Sequence, residues 1–149
     1  MKNLVTKLQS NYPAIIFSEG ATFRWSPSSR CVTYLNTGKE TDAWSLLHEV
    51  SHAVLNHEVY RSDIELLQKE VAAWHKAVQL AASYGITIDN DHIEICLDSY
   101  RDWIHKRSTC PECALQGVQK SPEQYICLNC NHTWIVTSAR FCRPYRRSK

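Results

Sequence analysis

The chain has 149 residues, 44% of them hydrophobic and 21% charged, with a net charge of +2. That balance excludes a disordered polymer, and the length suits one ordinary domain or a small domain with an appendage. No apolar run approaches the length that spans a bilayer, and the first residues, Met1 to Leu8, lack the apolar core and cleavage site of a secretory leader. The expectation is a cytoplasmic protein with no membrane partner.

In chain order, residues 2–10 suit a short helix with Leu4, Val5 and Leu8 on one face. Ala14-Ile15-Ile16-Phe17 reads as a buried strand. Thr22-Phe23-Arg24-Trp25 and Cys31-Val32-Thr33-Tyr34-Leu35 flank the turn-rich Ser26-Pro27-Ser28-Ser29-Arg30, which predicts a β-hairpin. Thr41 or Asp42 can cap a helix running to about His57, with Leu47, Val50 and Val54 on one stripe. Ser62-Asp63-Ile64-Glu65 is a capping box that opens a second helix, and Gly85 is placed to end it. A third helix starts near Asp91, with Ile93, Leu97, Tyr100 and Ile104 as its stripe.

His48-Glu49-Val50-Ser51-His52 is an H-E-x-x-H string inside the first long helix. Residues four apart lie one turn apart, so both imidazoles point at one spot and can grip one Zn²⁺. Glu49, one step round, reaches the water rather than the ion and can take its proton as general base, while zinc polarises the carbonyl under attack. The flanking Leu46, Leu47, Val50, Ala53 and Val54 make unpaired His and Glu costly there.

A catalytic zinc keeps three protein ligands and one open position. On a wheel of the second helix, Leu66, Ala77, Ala81, Trp74, Leu67, Val78, Val71 and Ile64 form one apolar arc, and Glu70 falls inside it. A carboxylate there needs a partner, which makes Glu70 the expected third ligand. Glu65 falls on the opposite side, where a solvated capping role explains it. His57 suits either a donor to the substrate or a helix-end His favoured by the dipole. His75 sits on the stripe's edge and reads as an ordinary, partly exposed His.

The segment Leu46 to His57, followed by Glu70-Val71-Ala72-Ala73-Trp74, resembles the ImmA/IrrE-type metallopeptidases over roughly residues 12–85. That resemblance implies a hairpin ahead of the motif helix, His48, His52 and Glu70 as ligands, and Glu49 as general base. It also implies that an extended peptide would lie along the strand at Cys31–Leu35. Members often carry a helix-turn-helix and cleave transcriptional repressors, and no helix-turn-helix is found here.

Cys110-Pro111-Glu112-Cys113 and Cys127-Leu128-Asn129-Cys130 are two C-x-x-C knuckles. Four thiolates so spaced close a tetrahedral Zn site with no open position, which is structural, and Tyr125-Ile126 and Thr133-Trp134-Ile135-Val136 read as strands of a zinc ribbon. His132 is passed over as a ligand because four thiolates suffice. Composition breaks at the same place. Up to His105 there are 9 Lys and Arg against 13 Asp and Glu; beyond it there are 8 against 2. Arg140, Arg143, Arg146 and Arg147, mixed with Phe141 and Tyr145, could contact nucleic acid or form a solvated terminus.

The expected fold is therefore α+β. A small zincin-like domain over 1–106 joins a hairpin or small sheet to the H-E-x-x-H helix and the helices after it. A four-cysteine zinc ribbon with a basic tail follows over 107–149. Two Zn²⁺ are expected, one catalytic and one structural, in a metalloendopeptidase acting on a protein or peptide. The pairing of peptidase module and ribbon is also similar to the SprT-like proteases, which act on DNA-bound proteins and take a third His; no His here has a comparable setting. The competing class is a non-enzymatic ribbon protein with a degenerate zincin scaffold, and Glu49 argues against it, since a scaffold has no use for that carboxylate.

Overall fold

The computed structural model describes residues 1–137 and the backbone of 146–148. The architecture is mixed α+β, with four helices and two small sheets among the described residues. None of these helices is long and apolar enough to cross a membrane. Contacts divide the chain into one unit of Met1–Val59 with Lys69–Ile93 and another of Tyr60–Gln68 with Glu94–Lys149, so the division differs from the break in charge near residue 106.

In the first unit, α1 (Lys2–Asn11) buries Leu4, Val5 and Leu8, as its periodicity requires. Strands β1 (Ile16–Glu19), β2 (Arg24–Ser26) and β3 (Cys31–Tyr34) form a sheet in the order β1-β3-β2. The hairpin pairs Trp25 with Val32 in antiparallel register, while β1 runs parallel to β3 with Phe17 opposite Val32. The strand expected to receive a peptide, Cys31–Leu35, is thus central and covered on both sides. The open edges belong to β1 and β2.

Helix α2 (Glu40–Val54) packs on β2 and β3 and buries Trp44, Leu46, Leu47, Val50 and Ala53. Asp42 ties down its start, accepting from the N–H of Thr37 at 2.7 Å and of Lys39 at 3.3 Å. The helix stops three residues short of the expected His57, because Asn56 adopts φ +52, a left-handed conformation that ends helices.

Helix α3 (Asp63–Ser83) opens where the capping box predicts, with the Glu65 N–H on Ser62 Oγ at 3.1 Å. Within the first unit it buries Glu70, Ala73, Trp74, Ala77, Leu80 and Ala81. The buried arc is therefore centred on Glu70 and Ala77. Val71 and Val78 lie about 100° round the helix, at 44% and 43% exposure, not in the core. Helix α4 (Asn90–Ser108) starts on Asp89, whose Oδ1 accepts the Asp91 N–H at 3.0 Å.

In the second unit, Leu66 packs with Tyr100 and Trp103. The second sheet joins β4 (Val118–Ser121), β5 (Gln124–Ile126), β6 (Thr133–Val136) and β7 (Arg146–Ser148) in chain order, all antiparallel. Tyr125, Trp134, Val136, Cys110 and Cys127 form its core. Gly117 is required there, since a Cβ would sit 2.4 Å from the Trp134 ring and 2.7 Å from the Ile126 carbonyl oxygen.

A buried ion pair anchors this unit. Arg107 and Asp63 are both 2% exposed, and Arg107 Nε donates to Asp63 Oδ2 at 2.8 Å. The Tyr125 hydroxyl donates to the same carboxylate, and Arg107 Nη2 reaches the Pro122 carbonyl at 2.8 Å. Burial and the adjoining Asp63 carboxylate push the Tyr125 hydroxyl above its ordinary pKa.

Candidate functional site

The i, i+4 spacing on α2 sets His48 and His52 on one face, with Nε2 atoms 3.1 Å apart. From α3, Glu70 Oε2 lies 3.2 Å from His48 Nε2 and 3.7 Å from His52 Nε2. A tetrahedral ion with metal–ligand bonds of about 2.05 Å requires ligand atoms about 3.3 Å apart, so the three atoms form one face of such a tetrahedron. The side chains are 9%, 12% and 8% exposed. Burial alone would raise the Glu70 carboxyl, but hydrogen bonds to His48 and His52 hold it far below the usual carboxylate range. The trio fits a divalent cation.

The surroundings orient this face. Trp74 stacks on His48 with ring centroids 4.2 Å apart. His48 Nδ1 is buried with no hydrogen-bond partner among the described residues. Glu49, half-buried and outside the trio, accepts the backbone N–H of Trp25 at 2.7 Å. The Trp25 indole N–H reaches the His57 carbonyl at 3.0 Å. His57 Nδ1 lies 2.9 Å from His52 Nδ1. Burial, followed by the fields of His52 and Lys69, lowers the His57 pKa to about 4, so the ring is neutral at pH 7.

The four cysteines converge separately, in the second unit. Cys110 and Cys130 sulfurs are 3.6 Å apart and those of Cys113 and Cys127 are 3.5 Å apart. A disulfide needs about 2.05 Å. A tetrahedral ion with Zn–S bonds of about 2.3 Å needs about 3.8 Å, close to what is seen, and all four ligand atoms lie within 4.8 Å of one another.

Both knuckles use one backbone pattern. Ala114 and Asn131 each take φ +59 and return their N–H to the first cysteine's carbonyl, at 3.0 and 2.9 Å. The N–H of Cys110 and of Cys127 bonds the carbonyl of the residue five on, Leu115 and His132. A backbone bond from His132 lowers the Cys130 thiol, yet desolvation and the neighbouring thiols push it up to about 12. Thiols so crowded cannot all ionise without a cation.

Every expected ligand thus sits in one of two clusters. His75 is exposed, and His132 lies outside the four-thiol cluster. Arg140 and Arg143 lie outside the described residues; Arg146 and Arg147 fall on β7, where only the backbone is described. Sequence reasoning missed Trp25 and assigned His57 to other roles. The signal for His57 was Asn56, a residue that tolerates the left-handed turn which folds His57 back on His52. No family model, curated protein or solved structure matches the chain.

Proposed function

We propose that the chain is a zinc-dependent metalloendopeptidase with a minimal zincin-like centre, in which His48, His52 and Glu70 hold the ion and Glu49 is the general base. The observation that carries this reading is the convergence of three donors at tetrahedral spacing, with a second carboxylate, Glu49, on the same helix and outside the cluster. When bound, zinc supplies a Lewis acid and brings the pKa of water towards neutrality. Glu49 then takes a proton from the attacking water and returns it to the departing amine nitrogen. The trio holds its geometry through packing on Trp74 and bonding to His57, so no ligand has to be ordered during the reaction.

A peptide fits this centre because β2 is an open edge whose Trp25 N–H already points at Glu49. A strand added there would bring its carbonyls past the acid. The reading keeps the resemblance to the ImmA/IrrE-type enzymes, with the receiving strand moved from β3 to β2. The SprT-like alternative needs a third His ligand, and His57 contacts His52 through Nδ1 and is not among the three converging donors. The ribbon would act as a zinc-stabilised module that recruits a protein or nucleic-acid partner, and the basic tail would supply phosphate contacts.

The test is hydrolysis of an unstructured protein by the zinc-loaded full chain. Glu49→Gln should lower turnover by about 10²–10⁴-fold, the usual contribution of general base catalysis, with zinc content unchanged. Undiminished cleavage in that variant sinks the mechanism. An inactive wild type with both sites filled would instead favour a binding role.

A further inference from the structure

Helix α2 ends in a Schellman turn: the Asn56 N–H bonds the Ala53 carbonyl at 3.1 Å, and the His57 N–H bonds the His52 carbonyl at 2.9 Å. Such a turn brings two side chains into contact across the helix end, ordinarily an apolar pair. Here the pair is His52 and His57, with ring centroids 4.9 Å apart and Nδ1 atoms 2.9 Å apart. The segment is strapped in place. Trp25 bonds the His57 carbonyl at 3.0 Å, and Lys69 Nζ bonds those of Glu58 and Val59 at 3.1 and 3.2 Å.

Two ring nitrogens at this distance need one N–H and one lone pair. His52 Nε2 faces His48 Nε2 and Glu70 Oε2, so a cation held there takes the Nε2 lone pair and leaves the His52 proton on Nδ1. His57 Nδ1 is then the acceptor, and His57 carries its own proton on Nε2. We propose that His57 is a positioning residue: it accepts the Nδ1–H of His52 and so fixes the tautomer and ring orientation in which His52 meets the metal. This rests on the metal-centre reading above and adds a residue that the H-E-x-x-H string does not contain. His48 supplies the contrast, since its ring is held by stacking on Trp74 and its Nδ1 has no partner among the described residues.

The test uses the full chain with Co²⁺. Thiolate-to-cobalt charge-transfer bands report the ribbon alone, so the two centres titrate separately. His57→Leu should weaken Co²⁺ at the histidine centre by about 10–100-fold, the usual effect of removing such an outer partner, with ribbon binding unchanged. His57→Gln, whose amide oxygen can accept, should restore most of the loss. In the zinc-loaded wild type, ¹⁵N NMR should show the His52 proton on Nδ1. Unchanged affinity in His57→Leu overturns the proposal, and so does a His52 proton on Nε2. Should His57→Leu fail to fold, the tautomer of His57 in the zinc-loaded wild type decides: a proton on its Nε2 supports acceptance at Nδ1, and a proton on its Nδ1 overturns it. A wild type that binds Co²⁺ only at its thiolates removes the metal-centre reading itself, whereas a filled centre indifferent to His57 removes only this inference.

Discussion

The main-chain N–H of Trp25 donates to Glu49 Oε2 at 2.7 Å, so the acid proposed as general base is tied to the edge strand β2. That N–H is turned away from β3, and the open edge of the sheet and the acid meet at one residue. The Trp25 side chain adds a second tie, from its indole N–H to the His57 carbonyl.

Trp25→Phe deletes the second tie and keeps the first. One part-buried hydrogen bond contributes about 0.5–1.5 kcal/mol, so urea unfolding at fixed zinc load should show a loss of that order. Amides of residues 57–59 should exchange faster. Unaltered stability and exchange would mean that the indole bond adds nothing.

Zinc content separates the two clusters. The wild type should hold two equivalents per chain, and Glu70→Ala and Cys110→Ser one each. Glu70→Ala should retain the second unit's circular dichroism. Cys110→Ser should lose the signal of the second sheet, because Cys110 and Cys127 are buried in that small core with Cys113 packed against it, and metal binding there is folding free energy. Two equivalents retained in either variant would remove that cluster from the metal sites.

Removing one partner of a buried ion pair strands the other. Asp63→Ala leaves Arg107 charged and buried, and should cost about 3–5 kcal/mol in chemical unfolding. Asp63→Ala combined with Arg107→Met should cost clearly less than the two single changes added together. Additive losses would show that the pair is not coupled.

Tyr125 makes stability depend on alkaline pH. Its hydroxyl is raised above the ordinary 10.0 by burial and Asp63, so above pH 10 the unfolded chain loses a proton that the folded chain keeps. The unfolded state then binds fewer protons, and stability falls as pH rises. Melting temperature followed from pH 9 to 11 should fall less steeply in Tyr125→Phe than in the wild type. Parallel slopes would rule Tyr125 out as the cause.

Much of the site was legible because its geometry is local. A four-residue spacing on a helix fixes the relation of His48 to His52, and a C-x-x-C knuckle fixes that of its two thiols, whatever the rest of the chain does. Glu70 was legible for another reason: a carboxylate among apolar positions on a helix face announces a buried partner. Its arc was drawn too far towards Val71 and Val78, because Ile64, Val71 and Val78, β-branched residues at seven-residue spacing, mimic a core stripe beside the true one.

Order within a sheet is not local. Cys31–Tyr34 reads as the same strand whether it lies at an edge or in the middle, and only the parallel pairing of β1 made it central and left β2 open. Helix boundaries fell short for a related reason, since Asn56 can continue a helix or end it and the choice depends on the turn that follows.

The sequence by itself determined which residue types could hold a metal ion, and their spacing within the two-histidine helix and within each C-x-x-C knuckle, since those depend on covalent connectivity and helix pitch. Tertiary structure alone decided that Glu70 closes a 3.1–3.7 Å triangle, that Trp25 holds Glu49 and that His57 turns back on His52. Each of those joins groups through packing or a turn, where the free energy of the whole fold, not the spacing along the chain, sets the distance.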